Sequence, residues 1–379
     1  MQDFLLFEIF TVLPLIFIWH YSRTFCHRTK VLYYSFMYHT AFSYVYWYFS
    51  IINGADAQAY YRVAESYSGK FFSLYGTGTP FISFLSYPFV HWMGVSYFSL
   101  YMLFNFFGFI GLCYFYFSVL EQMGPAKNDE AIHSLNLFLF IPGLNFWTSA
   151  IGKDSLNIFG MGMLLYAISD MRKRPFLFVF SLIVLYHVRP HVFLLVTVSL
   201  AIAFLLRRGV FRVENIFFLI LTMVVAFVMK DVILEKAGAG AVDDLTGATE
   251  YLDKRQEYNL GGGSSLDISQ YSFGMKLFSY LYRPLFFDAK SVTMLAASLE
   301  NTLYLLLTAH LLFKLPLGSL LKERRLYVTF GITFFFIMLI VMSWATANLG
   351  IAVRQKMMFI PILLAVYCLT LSSHSAQRR

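Results

Sequence analysis

Apolar residues run in long blocks along this chain, and polar residues collect in the gaps between them. The blocks Val31–Ile52, Ser96–Leu120 and Tyr327–Trp344 carry scarcely a charge. Each meets or comes close to the roughly 20 residues that a helix needs to cross a hydrocarbon core. In lipid every backbone N–H and C=O must be satisfied inside the structure, and these blocks are too long and too uniformly apolar to be strands of a barrel. The pattern therefore predicts an all-α fold, a polytopic transmembrane helical bundle. Spans are expected at 4–21, 31–52, 96–120, 131–150, 155–170, 175–188, 191–206, 214–234, 291–313, 326–344 and 357–372, about eleven in all. The first block reads as a retained helix and not as a signal peptide, because Asp3 replaces a basic n-region and no small-residue cleavage site follows.

The charged gaps orient the bundle. The clusters Arg23/Arg28/Lys30, Arg172/Lys173/Arg174, Arg207/Arg208/Arg212, Lys314/Lys322/Arg324/Arg325 and Arg378/Arg379 all fall on one side with this set of spans, as the positive-inside rule requires. The expected topology is N-terminus out and C-terminus in, with residues 1–379 forming a single transmembrane domain. Two long segments then lie outside. One is 53–95, with interfacial helices; the other is 235–290, where the run Gly261-Gly262-Gly263-Ser264-Ser265 favours a mobile lid. Within the second, Phe273–Phe287 spaces its aromatics as an interfacial helix would, interrupted by Lys276 and by Arg283, a substrate-binding candidate.

Composition sharpens this picture. The 379 residues are 59% hydrophobic, 20% aromatic and 13% charged, against about a quarter charged in soluble domains. The net charge of +8 resides mainly in the topology clusters, which argues against a nucleic-acid partner. Cys26, Cys113 and Cys368 have no CxxC spacing, so neither a disulfide framework nor a metal site is indicated. No cofactor is called for.

Four outer-side sites place charge between apolar helices: Asp56, Lys153-Asp154, Arg189-Pro190-His191 and Arg354/Lys356. A cation at membrane depth costs about 2.5–3.5 kcal/mol on insertion scales, so such residues face a cavity, a partner or a substrate. Lys153 and Asp154 open a helix whose N-terminal dipole attracts anions, although Asp154 also suits a simple cap. Arg189 sits where Pro190 must break a hairpin of two short legs, and half-helix ends of this kind hold charged ligands. Arg354 can grip a phosphate bidentately, while Lys356 acts as a point charge or an interfacial anchor. Asp56, beside Tyr60 and Tyr61, is placed to activate a hydroxyl or to cap a helix. Tyr60, Tyr61 and Trp147 offer faces for stacking on sugars.

At these same residues the chain resembles bacterial polytopic proteins of surface-polysaccharide gene clusters, the O-antigen and exopolysaccharide polymerases. The matching stretches are Gly54-x-Asp56-x-x-x-Tyr60, Phe146-Trp147-Thr148-Ser149 running into Gly152-Lys153-Asp154, Arg189-Pro190-His191, and Asn348-Leu349-Gly350 followed by Arg354-Gln355-Lys356. The resemblance implies a membrane glycosyltransferase of GT-C-like type in the bacterial inner membrane. Such enzymes join or transfer glycans carried on undecaprenyl phosphate or diphosphate at the outer face, with arginines on the phosphates, and Arg189 and Arg354 occupy matching places. Asp56 also resembles the first-loop acid that serves as general base in transferases using lipid-phosphate sugars.

The expectation is glycosyl transfer with Asp56 or His191 as base and Arg189, Arg354 and Lys153 on the phosphate. The expected partners are the polyprenyl-linked glycan, membrane lipids and other polysaccharide-assembly proteins. A transferase using a polyprenyl-phosphate monosaccharide, a flippase for lipid-linked oligosaccharides and a structural subunit of a larger machine are the alternatives.

Overall fold

The computed structural model describes residues 2–25, 29–124, 128–206, 265–268, 270–322 and 325–378, with isolated helical positions between 216 and 228. Among these residues the structure is helical throughout, and the only pairing of extended backbone is an isolated bridge between Ser265 and Asn348. The chain divides into two compact units, Met1–Phe193 and Leu194–Arg379.

The first unit contains α1 (Gln2–Phe25), α2 (Lys30–Asn53), α3 (Asp56–Ser66), α4 (Thr79–Tyr87), α5 (Tyr97–Met123), α6 (Asp129–Phe138), α7 (Pro142–Thr148), α8 (Lys153–Ser169) and α9 (Pro175–Val188). The next helix, α10 (Pro190–Leu206), begins in this unit and continues past its boundary. Its centre is α5, whose 27 residues make a rod of roughly 40 Å at 1.5 Å per residue. Glycines let the backbones of its neighbours close on it. A Cβ at Gly108 would stand 1.9 Å from the Thr148 carbonyl oxygen, and one at Gly162 of α8 would stand 2.1 Å from that of Gly111. Small residues at helix crossings are how helices pack in lipid, where the hydrophobic effect gives no drive between them.

A buried polar layer explains why the predicted span 131–150 is instead two helices. Pro142 has no N–H to continue the preceding helix, and Asn145 Nδ2 donates to the carbonyls of Leu139 and Ile141, both at 2.8 Å. Asn145 Oδ1 lies 3.0 Å from His39 Nδ1 of α2, and Ser43 of α2 donates to the Ser149 carbonyl at 3.1 Å. The break is thus stabilised by groups that a continuous apolar helix would leave unsatisfied.

Helices α8 and α9 form a hairpin fastened at its turn. Arg174, just before α9, donates to Glu121 of α5 at 2.7 and 3.0 Å and to the Tyr166 carbonyl at 2.7 Å, and its guanidinium lies 3.6 Å from the Tyr166 ring centroid. The other end of the hairpin carries Lys153, Asp154 and Arg189.

The expected outer segment 53–95 is largely helical and well packed. Besides α3 and α4 it holds a 3₁₀ turn, Phe71–Leu74, and a π turn, Pro88–Trp92. Ala57, Tyr60, Ala64, Leu74, Ile82 and Val90 all enter the core.

The second unit contains α11 (Phe273–Tyr282), α12 (Val292–Phe313), α13 (Leu317–Lys322), α14 (Leu326–Ala345), α15 (Leu349–Lys356) and α16 (Ile360–Arg378). The expected helix over Phe273–Phe287 is α11 followed by a 3₁₀ turn at Phe286–Asp288. Most of the expected span 214–234, and the glycine-rich part of the expected lid, lie outside the described residues.

Three described helices are long and apolar enough to cross a membrane: Tyr97–Met123, Val292–Phe313 and Leu326–Ala345. A fourth is formed if Leu349–Lys356 and Ile360–His374, bent by 52°, count as one span. Leu6–Tyr21, Pro175–Val188 and Pro190–Leu206 are shorter apolar helices.

Candidate functional site

A cluster of charged and hydrogen-bonding side chains in the first unit lies at the open end of the α8–α9 hairpin. Arg189 Nη2 meets Asp154 Oδ1 at 2.5 Å, with the two side chains only 11% and 8% exposed. Desolvation makes such a pair costly to break, because whichever partner remains is a buried charge. Arg189 Nε is also buried and has no hydrogen-bond partner. Beside Asp154, Lys153 donates to the Thr79 hydroxyl at 3.1 Å. The Gly78 N–H donates to the His187 carbonyl at 2.7 Å, and Tyr75 Oη lies 2.5 Å from His187 Nε2.

These contacts close a circuit through three elements. It runs from Lys153 and Asp154 at the start of α8 to Arg189 just after α9, to His187 in the last turn of α9, and through Tyr75, Gly78 and Thr79 back to Lys153.

The backbone around the circuit is as informative as the side chains. Helices α4, α8 and α10 begin at Thr79, Lys153 and Pro190. The N-cap positions of α4 and α8 are Gly78 and Gly152, and neither helix has a side-chain cap. The first N–H groups of a helix have no partner within it and sit at the positive end of its dipole. With Lys153 and Arg189 against Asp154, the side chains add a net single positive charge. The circuit is therefore an electropositive rim with hydroxyl, phenol and imidazole groups on it, suited to an anion that carries a polar neighbour.

The other residues expected from sequence are distributed as follows. Asp56 is exposed at the first position of α3. Tyr60, one turn later, is buried, with its ring 3.6 Å from where a Cβ on Gly152 would stand. Tyr61 donates to the Val95 carbonyl at 3.1 Å. Trp147 packs on Phe146 and Tyr46. These three rings are engaged in packing that first unit. His191 is exposed in the first turn of α10.

In the second unit, Lys356 is fully buried and donates to Asn301 Oδ1 at 2.8 Å and to the carbonyls of Leu281 and Arg283 at 3.0 and 3.2 Å. It acts there as an internal clamp for the end of α11. Arg283 pairs with Asp288, with Nε 2.9 Å from Oδ2, and also donates to Tyr271 at 3.2 Å. The Asp288 hydrogen bonds hold the Arg283 guanidinium above its ordinary range, and Arg283 in turn holds the Asp288 carboxyl below its own. Arg354 is half-buried on α15.

Three members of the circuit, Tyr75, Thr79 and His187, are not among the residues that sequence reasoning selects. The one signal for His187 in the sequence is its place two residues before Arg189, which His191 matches two residues after it. Tyr75 and Thr79 had none, because an aromatic-rich stretch gives no reason to prefer one hydroxyl over another. No group of three or more metal-ligating side chains occurs among the described residues. The chain matches no protein-family model, no curated protein and no solved structure.

Proposed function

We propose that this protein is a membrane glycosyltransferase of the polysaccharide-polymerase type. It acts on saccharides linked to a polyprenyl phosphate or diphosphate, in the bacterial inner membrane and with its site on the outer face. The observation that carries this reading is the convergence of Lys153, Arg189 and the uncapped starts of α4 and α8 in one circuit. Fixed donors of this kind stabilise charge that develops on a leaving phosphate, a large electrostatic contribution that needs no reorganisation during reaction. The exposed hydroxyl-bearing rim formed by Tyr75 and Thr79 gives a sugar acceptor something to bond. Apolar helices long enough to cross a bilayer suit a substrate whose carrier is a long isoprenoid. The topology that accompanies this proposal has about eleven spans, the N-terminus outside and the C-terminus inside.

The test uses the full-length protein in vesicles loaded with polyprenyl-linked saccharides extracted from cells lacking it. Lengthened or transferred glycan is expected with the wild type and strongly reduced product with Lys153→Met. Movement of intact lipid-linked saccharide between leaflets without a new glycosidic bond would establish a flippase instead. Absence of both would overturn the proposal.

A further inference from the structure

Phosphate binding does not explain the pairing of Tyr75 with His187. His187 Nδ1 lies 2.8 Å from the Ile183 carbonyl, and a carbonyl can only accept, so Nδ1 carries the proton. In the neutral ring Nε2 is then the acceptor. Tyr75 Oη, 2.5 Å away, must be the donor in that bond. A carbonyl, an imidazole and a hydroxyl in this order make the relay by which proteins orient a base behind a reactive O–H.

The ring is also held from the side. Phe81 stands 5.1 Å from it, centroid to centroid, and the backbone of His187 is tied to Gly78 at 2.7 Å. Tyr75 is 51% exposed, so its oxygen is open to a ligand at the rim, within the same chain of contacts that ends on Lys153 and Arg189.

We propose that Tyr75 is the acid–base catalytic residue of this site and that His187 is the positioning group behind it. The inference rests on the glycosyl-transfer reading and assigns the proton traffic of its acceptor, a sugar hydroxyl. In the transfer step the acceptor oxygen bonds to the anomeric carbon while the bond from that carbon to the carrier's phosphate oxygen breaks. The leaving phosphate keeps the electron pair. The acceptor's proton passes to Tyr75 Oη as the phenolic proton passes to His187 Nε2, and the imidazolium afterwards returns its proton through Tyr75 to water.

The experiment compares wild type, Tyr75→Phe, His187→Gln and Lys153→Met in the vesicles described above, over a range of lipid-linked saccharide. Removal of a positioned acid–base group lowers turnover by about 10²–10⁴-fold. Both Tyr75→Phe and His187→Gln are expected to lose turnover on that scale with the concentration for half-saturation little changed. Lys153→Met is expected to raise the half-saturating concentration. If the wild type is active and both variants of the pair retain its turnover, the Tyr–His assignment is wrong and the glycosyl-transfer reading stands. If the wild type forms no glycosidic bond from these lipids, both fall together.

Discussion

The Arg189–Asp154 pair permits a measurement that separates scaffold from site. With side chains 11% and 8% exposed, removal of either partner leaves a charge that water reaches poorly. Breaking such a pair costs about 3–5 kcal/mol, whereas replacing both partners by apolar side chains of similar volume is often neutral or better. Arg189→Met and Asp154→Leu are each expected to cost that amount. The double variant should lie within about 1–2 kcal/mol of wild type, its residual loss arising from removal of a carboxylate at the start of α8. The coupling energy is then about 4 kcal/mol or more, far outside the additivity expected of independent sites. Unfolding in mild detergent, followed by the retained monomer peak on size exclusion after heating, reads this directly. The singles should fall together by several degrees and the double should recover most of the loss. Two single variants within about 1 kcal/mol of wild type, with an additive double, would show that the pair is hydrated and refute the reasoning. The double variant also isolates function, since it restores the fold without the guanidinium. It is expected to be inactive, and full activity in it would leave Arg189 a structural residue only.

Further outcomes follow from contacts elsewhere in the chain. Gly162→Ala puts a Cβ 2.1 Å from the Gly111 carbonyl oxygen and is expected to destabilise at or beyond the about 1–3 kcal/mol of ordinary overpacking. Gly274→Ala, where a Cβ meets nothing within 4 Å, should stay within about 1 kcal/mol of wild type. Lys356→Met strands Asn301 Oδ1 and two carbonyls, each a loss of about 1–3 kcal/mol when buried. Its melting temperature should fall sharply, and adding Asn301→Leu should recover part of the loss. Arg283 holds the Asp288 carboxyl below its ordinary value near 3.8. The stability this contributes is therefore present above about pH 4 and is lost as pH falls through the folded value. Asp288→Asn should be less stable than wild type at neutral pH, with the difference closing in acid. Finally, Lys70 and Lys322 are both exposed, and Cys113 and Cys368 are buried. In intact cells, in a Cys26→Ser background, a membrane-impermeant maleimide should label Lys70→Cys and reach Lys322→Cys only after permeabilisation; the reverse would overturn the proposed topology.

How much of this was legible in the sequence depends on the range of the interaction that fixes each feature. Helices at 31–52, 96–120, 291–313 and 326–344 were legible because a long apolar block fixes a helix locally, whatever it packs against. The division of 131–150 was harder. Pro142 marked it, but the break is stabilised by Asn145 reaching back to Leu139 and Ile141 and across to His39, a contact between positions 106 residues apart. The charges Lys153, Asp154 and Arg189 stood out because apolar surroundings make any charge conspicuous, and their grouping follows from the hairpin that brings the start of α8 beside the end of α9.

Histidine shows where this reasoning stops. His187 and His191 flank Arg189, equally conspicuous on the page, and His191 is favoured by its place after the helix-breaking Pro190. They lie on different helices, His187 at the end of α9 and His191 at the start of α10. His187, in the last turn of α9, can give its Nδ1 proton to Ile183 one turn back, and it meets Tyr75, 112 positions earlier. His191 opens α10 on an exposed position, where a helix's first turn offers N–H groups and few free carbonyls. A base that must accept a proton on one nitrogen needs its other nitrogen fixed, and in His187 the Ile183 carbonyl one turn back fixes it. The turn through Arg189 places His187 on α9 and His191 on α10, and on the proposed reading this placement, more than distance from Arg189, brings one imidazole to Tyr75.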